Sequence, residues 1–283
     1  MKYRHSYHAG NFADAMKHLV LIEMLNALLR KPGEFVYIET HSGRGEYSLD
    51  GRETRSTAEY RDGIGRLLES RELLQGPIRD YVELVLRLGG DPNSGRLQRY
   101  PGSPLLATHL IRSTDRAVLV ELEPTERRAL ARSVSAHPNA SVLGEDGYRA
   151  LRGLLPPAER RGMVLIDPSY EEEKEFERVQ EALLDSHRRW ATGIFAIWYP
   201  IKRRAAITQF HAQLARSGLR RILCAELNLY PQDSQVALNG SGMIVVNPPW
   251  KLDESLRQLL PDMWRSFGAH KGGGIRCDWL VPE

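Results

Sequence analysis

The sequence predicts an α/β fold, a doubly wound sheet carrying a small helical insertion. Three observations point there. Four short, continuously apolar runs rich in branched residues, at 35–39, 117–121, 163–167 and 194–198, each end in a turn. Such runs read as strands buried on both faces of a parallel sheet. Helical patterns alternate with them, which is the rhythm of a doubly wound fold. Residues 50–102 break that rhythm and form the insertion.

Taken in order, residues 1–49 hold an N-terminal arm, a helix and the first strand. The arm has no strong helix or strand pattern and reads as a mobile segment that orders on a partner. The helix covers 14–29 and closes at Lys31-Pro32-Gly33. Within the insertion, 57–68 and 78–88 read as two amphipathic helices, followed by the loop 89–95. Residues 103–283 supply the rest of the main domain. Helices at 125–136, 148–155, 171–190 and 203–217 follow successive strands. The third has acids in its first turn, as the helix dipole favours, and the fourth stops at Gly218. Strands at 222–226 and 243–246 complete the sheet, with 232–242 as a hairpin connection. A helix at 253–267 and a tail end the chain.

Composition sets the outer bounds. With 283 residues, 42% hydrophobic and 27% charged, the chain is an ordinary globular protein rather than a disordered, collagenous or coiled-coil one. Its 2 cysteines, Cys224 and Cys277, cannot build a disulfide framework or a Cys-rich zinc site, so a reducing compartment is expected. No apolar run approaches the ~18 residues of a membrane span. The N-terminus lacks the apolar core of a signal peptide. A cytoplasmic protein with no membrane partner and no metal follows as the expectation. Net charge is +3, and arginine far outnumbers lysine among the 39 basic residues. Arginine suits phosphates and bases, although a GC-rich genome produces the same excess.

Four turns carry chemistry. Glu39-Thr40-His41-Ser42-Gly43-Arg44-Gly45 ends the first strand in a glycine turn that lets a ligand lie against the backbone. A full dinucleotide fingerprint has a third glycine where this chain has Ser48. Glu121 ends the second strand, where an acid can accept both ribose hydroxyls of a nucleoside. A nicotinamide enzyme places that acid ~20 residues after the glycines, whereas here the whole insertion intervenes. Asp146-Gly147 precedes a helix and reads either as an N-cap or as an acceptor for an adenine amine.

The most specific turn is Asp167-Pro168-Ser169-Tyr170. It looks like the Asp-Pro-Pro-Tyr signature of amino-group methyltransferases. The adenine exocyclic amine is a poor nucleophile because its lone pair is delocalised. Asp167 and the carbonyl of Pro168 can accept its two N–H groups and favour a pyramidal nitrogen. Pro168 fixes φ and holds that carbonyl in place, and Tyr170 offers a face for a flipped-out base. Asn247-Pro248-Pro249-Trp250 fits a broader version of the pattern. Position decides against it, because such a fold needs three strands after the catalytic turn and only residues 251–283 remain. A structural role or a contact at the rim with RNA is its expected part.

The opening segment 3–18, the turn at 40–45, Tyr100-Pro101-Gly102-Ser103-Pro104, the turn at 167–170 and the stretch 240–250 together resemble the bacterial family of adenine-N6 methyltransferases acting on 23S ribosomal RNA. The resemblance covers nearly the whole chain. It implies a monomeric, Rossmann-like enzyme that uses S-adenosyl-L-methionine. By matching motif, Lys17, His18, His41 and Ser103 would meet the methionine end of the cofactor, Glu121 its ribose, and Asp146 with Gly147 its adenine. Asp167 would be the catalytic acceptor, and Tyr3 would contact substrate RNA. The chain departs from the family at Ser169, which keeps the turn small but loosens it. Lys17 and His18, read as basic groups at a helix end, agree with a carboxylate-binding role. The alternatives are an adenine-N6 methyltransferase on DNA, a protein-glutamine acceptor, a nucleotide-binding oxidoreductase and a non-catalytic RNA scaffold.

Overall fold

The computed structural model describes residues 4–231, 234–236, 238–268 and 270–283. In chain order the elements are α1 (Phe12–Leu29), β1 (Val36–Glu39), β2 (Glu46–Ser48), α2 (Arg52–Thr57), α3 (Ile64–Glu69), α4 (Gly76–Gly89), β3 (Arg99–Pro101), α5 (Ser103–Leu110), β4 (Arg116–Val120) and α6 (Pro124–Ser133). There follow β5 (Ala140–Leu143), α7 (Gly147–Leu154), β6 (Gly162–Ile166), α8 (Glu175–Arg189), β7 (Ile194–Ile201), α9 (Arg204–Ala215), β8 (Ile222–Asn228), β9 (Gly240–Val246), α10 (Leu252–Ser266) and β10 (Gly274–Val281).

Eight strands form one sheet in the order β10-β8-β9-β7-β6-β1-β4-β5. β5, β4, β1, β6 and β7 pair in parallel, while β9 runs antiparallel to both β7 and β8. Every residue of β1, β6 and β9 is buried, as expected of strands covered on both faces. α1, α4 and α10 pack one face around Met16, Leu19 and Leu260; α8 and α9 pack the other around Val179, Leu183 and Phe210. This is the Rossmann-like arrangement with its reversed strand at β9.

Three elements differ from the sequence reading, each for a physical reason. The helix expected over 57–68 is interrupted: α2 ends at Thr57, Ala58 (φ 52) leads into a 3₁₀ turn at Glu59–Asp62, and α3 begins only after Gly63. A Cβ at Gly63 would sit 2.1 Å from the Gly10 carbonyl, and Ile64 N donates to that carbonyl at 2.9 Å. Close packing on the N-terminal segment thus overrides helical periodicity. α8 starts at Glu175 rather than 171, because Tyr170 adopts φ 53 and the turn runs on. The C-terminal tail is strand β10, paired antiparallel with β8 at the sheet edge.

The insertion helices share the core of α1. Ile64, Leu67, Ile78, Tyr81 and Val85 belong to the same buried cluster as Met16 and Leu19. β2 pairs with β3 through Tyr47 and Tyr100, closing the insertion at its base and bringing Ser103 beside the glycine turn. The described part of the arm is not free. Residues 5–7 form a 3₁₀ turn whose Ser6 carbonyl accepts from Thr54 Oγ1 at 3.0 Å, and Thr57 Oγ1 donates to the Tyr7 carbonyl. Asn11 Nδ2 donates to Glu59 at 3.0 Å.

Antiparallel β9 settles where Asn247-Pro248-Pro249-Trp250 lies. Its register pairs Val246 with Phe195 at the start of β7, so the motif sits at the opposite end of the sheet from Asp167. Asn247 Nδ2 donates to the carbonyls of Ala191 (2.8 Å) and Gly193 (2.9 Å), bracing the turn into β7. The motif is structural there; it is not at the rim of the Asp167 turn.

Candidate functional site

The parallel strands β1, β4, β5 and β6 end on one side of the sheet, the place where open α/β sheets bind ligands. Their turns, with Trp198 of β7 and side chains of α1 and α5, line one cavity of about 1150 Å³. That exceeds the ~300–1,000 Å³ of a typical small-molecule site, so there is room for a nucleoside cofactor and a second base. Lys17, His18, His41, Ser103, Glu121, Asp146, Asp167 and Pro168 all line it. Gly147, the first residue of α7, follows Asp146 and is not itself among the lining residues. Tyr3 lies outside the described residues.

The glycine turn is shaped by Glu121. Gly43 (φ 60) and Gly45 (φ 83) adopt the left-handed conformation that favours glycine. Gly43 N donates to Glu121 Oε2 at 2.8 Å, and Glu123 N donates to Oε1 at 2.8 Å. Both carboxylate oxygens are thereby fixed, and each keeps a lone pair for a further donor. Burial pushes the Glu121 carboxyl above its ordinary value. Gly147 is required by proximity, because a Cβ there would lie 2.1 Å from the Thr40 carbonyl. Asp146 is the N-cap of α7, accepting from Arg149 N at 2.9 Å.

Behind the cavity wall lies Glu39, fully buried. Ser103 Oγ donates to its Oε1 at 2.5 Å and Tyr37 Oη to its Oε2 at 2.7 Å. Burial raises its carboxyl to about 7 despite those donors. A carboxyl raised on folding stabilises the fold below its unfolded value near 4.5, and that contribution is lost as pH rises through about 7. The loss is ~3 kcal/mol. Glu39→Gln is therefore expected to match the parent in thermal stability at pH 4.5 and to exceed it at pH 8. Melting curves at both pH values check this, and a parallel pair of curves would contradict it.

Two of the histidines that line the cavity, His18 and His41, are neutral. Burial lowers His18 to about 3 and His41 to about 4. His18 Nδ1 meets Tyr100 Oη at 2.9 Å, which meets Tyr81 Oη at 2.7 Å, linking α1 to the insertion. The buried cation is Lys17, which lies in the second turn of α1 rather than at a helix end. Its Nζ is 2.6 Å from Asp167 Oδ2 and 3.0 Å from Asp14 Oδ1. Burial works against its charge, but Asp14 and Asp167 outweigh burial and hold the ammonium well above the ordinary lysine range. Asp14 also meets His5 Nε2 at 2.9 Å and accepts from Gly10 N at 3.0 Å. Against the opposing effect of burial, His5 and Lys17 keep Asp14 well below the usual carboxylate range.

Tyr170 is turned into the protein. Its hydroxyl donates to the Trp198 carbonyl at 2.7 Å and its ring lies 4.7 Å from Phe176. Sequence reasoning passed over Asp14 and Trp198. An acid three residues before Lys17 on a helix was the available signal for Asp14. For Trp198 the signal was its place at the end of the run 194–198, masked because an aromatic in an apolar strand reads as core.

A second polar cluster occupies the α9 face of β7 and β8. Arg276 donates to His211 Nδ1 at 3.1 Å, so Nε2 carries the hydrogen and donates to Tyr199 Oη at 3.0 Å. Tyr199 donates to Glu226 at 3.0 Å, and Arg204 pairs with the other Glu226 oxygen at 2.6 Å. Burial pushes the neighbouring Cys224 thiol up to about 12. The donors are used internally, and the cluster ties β7, β8 and α9 together.

A family model described as "Ribosomal RNA large subunit methyltransferase D, RlmJ" matches residues 32–281. Two relatives named "Ribosomal RNA large subunit methyltransferase J" align over 100% of both chains. One, from Haemophilus influenzae, is 40% identical, and the other, from Escherichia coli, is 37% identical. A crystal structure of a Legionella pneumophila protein superposes with a TM-score of 0.87 at 32% identity, covering 96% of this chain and 98% of that one.

Proposed function

This chain belongs to the ribosomal RNA large subunit methyltransferase J family, and from that premise we propose that it methylates the exocyclic N6 amine of an adenine in 23S ribosomal RNA. It is a methyltransferase of large-subunit ribosomal RNA. The observation that carries the finer reading is the Asp167-Pro168-Ser169-Tyr170 turn, opening into the same cavity as Glu121 and Ser103. S-adenosylmethionine would supply a methyl group already activated on a sulfonium. The described residues suit that group. Glu121 keeps lone pairs for a ribose, and Ser103 donates to Glu39, which leaves its own oxygen free to accept from an ammonium.

Lys17 holds Asp167 through Oδ2, so Oδ1 is the oxygen we assign to the incoming N–H. Pro168 directs its carbonyl to the second N–H. Together they would turn the amine lone pair out of the ring plane; as the methyl group passes from the sulfonium to the nitrogen, the sulfur leaving as a neutral thioether, Asp167 would take the proton that the nitrogen sheds. The remaining work is positioning. A monomer acting on RNA in the cytoplasm completes the proposal, with Tyr3 as an RNA contact.

Two measurements test it. Isothermal titration should give binding with S-adenosylmethionine and none with NAD; the reverse would favour an oxidoreductase. Ribosomal RNA from cells lacking the gene should accept methyl groups, while genomic DNA and RNA from parental cells should not. Glu121→Ala is expected to weaken cofactor binding roughly tenfold or more, the value of a lost charge-assisted hydrogen bond. An unchanged dissociation constant would leave Glu121 only its part in the glycine turn.

A further inference from the structure

We propose that Trp198 is the aromatic face against which the target base is held, with Tyr170 as its buttress. The inference rests on the base-methylating reading above and deepens it. Four observations carry it.

Trp198 stands beside Asp167. β6 and β7 pair in parallel with Ile166 opposite Ile197, and the next residue on each strand is Asp167 and Trp198. Trp198 is half-buried and lines the cavity; Tyr170 does not.

The indole faces the acceptor. Lys17 Nζ lies 5.7 Å from the Trp198 ring centroid and 2.6 Å from Asp167 Oδ2. One ammonium thus touches both the ring face and the carboxylate, so a planar amine that hydrogen-bonds Asp167 has the indole within reach. The ring's electron-rich face suits a cation or a purine edge with partial positive charge.

The indole is also held in a fixed orientation. Its Nε1 donates to Ser241 Oγ at 2.9 Å, and Ser241 Oγ contacts the Ala13 carbonyl at 3.4 Å. Its own carbonyl accepts from Tyr170 Oη at 2.7 Å. A ring locked this way loses little entropy when a base stacks on it.

Finally, Tyr170 is occupied. Its ring packs tilted on Phe176 at 4.7 Å and edge-on to Trp198 at 5.9 Å and 67°. The positive φ of Tyr170 turns its side chain inward behind the indole. The aromatic of the signature turn therefore supports the platform, and β7 supplies it.

The test separates the ring from its scaffolding. Trp198→Phe and Trp198→Ala both lose the bond to Ser241, but only phenylalanine keeps a face. Stacking one base is worth ~1–3 kcal/mol, or roughly 5- to 150-fold. With deletion-strain ribosomal RNA as substrate, Trp198→Ala should raise KM for RNA by about tenfold or more. Trp198→Phe should recover most of that loss, and titration should give parental cofactor affinity for both. Tyr170→Phe, which loses only its hydroxyl, should cost a few fold. Equal defects in Trp198→Phe and Trp198→Ala would reduce Trp198 to a structural strut and overturn the proposal. So would a Trp198→Ala enzyme with parental KM beside a Tyr170→Leu enzyme that has lost it. Either result with Asp167→Asn inactive leaves the base-methylating role of Asp167 standing, whereas an active Asp167→Asn enzyme removes Asp167 from that role and with it the premise that the base is held beside it.

Discussion

Asp167→Asn is expected to lower the rate of methyl transfer by roughly 10²- to 10⁴-fold, the range in which a positioned proton acceptor operates. Asparagine keeps the size of the side chain and can still accept from Lys17 with its amide oxygen. What it presents in place of the second oxygen is an NH₂ group, which faces the substrate amine donor to donor. The fold should survive, because Lys17 retains Asp14 at 3.0 Å. Cofactor affinity should stay within a few fold, since Glu121, Ser103 and the glycine turn are untouched. Single-turnover rates with ribosomal RNA, beside titration with the cofactor, read both quantities. Substantial turnover would remove Asp167 from the catalytic role.

Lys17→Met has the second large effect, and it acts on stability as well as activity. The substitution keeps an unbranched apolar stem and deletes the ammonium shared by two carboxylates. Breaking a buried pair by removing one partner costs ~3–5 kcal/mol. His5 and Gly10 N still hold Asp14, so the lower end of that range is expected. The sign with pH follows from Asp14, whose folded value lies well below its ordinary one. Its stabilising contribution is present above the ordinary value near 3.8 and is lost as pH falls through the depressed one. The deficit of Lys17→Met should therefore be largest at neutral pH and shrink in acid as the orphaned carboxylates take protons. Urea unfolding at pH 7 and pH 4 checks this. Equal stability of parent and variant at pH 7 would mean that Lys17 does not neutralise the site.

Strands buried on both faces write themselves plainly into a sequence, and β1, β4, β6 and β7 were all legible from runs such as Met163-Val164-Leu165-Ile166. β10 was not, because an edge strand of intermediate burial carries charges, as Arg276 and Asp278 do. The 3₁₀ turn at Glu59–Asp62 and α3 read as one helix over 57–68 because periodicity is blind to Gly10, which packs against Gly63 from far along the chain. In the site, the residues at strand ends could be found by position alone. The ion network around Lys17 could not, since Asp14 and Asp167 belong to distant parts of the sequence and meet only after folding. His18 read as a basic group in the sequence and is neutral in the fold, as His41 is, because burial decides their charge.

The central claim is that the Asp167 turn places a methyl group on an adenine amine of ribosomal RNA. Its most direct test is the identity of the product nucleoside. Large-subunit ribosomal RNA from cells lacking the gene would be treated with the purified protein and S-adenosylmethionine carrying a labelled methyl group, then digested to nucleosides and resolved by mass spectrometry. The account predicts label in N6-methyladenosine and in no other nucleoside, absent when Asp167→Asn replaces the parent. Label on a ring carbon, on a ribose 2′-oxygen or on a guanine or cytosine would contradict it.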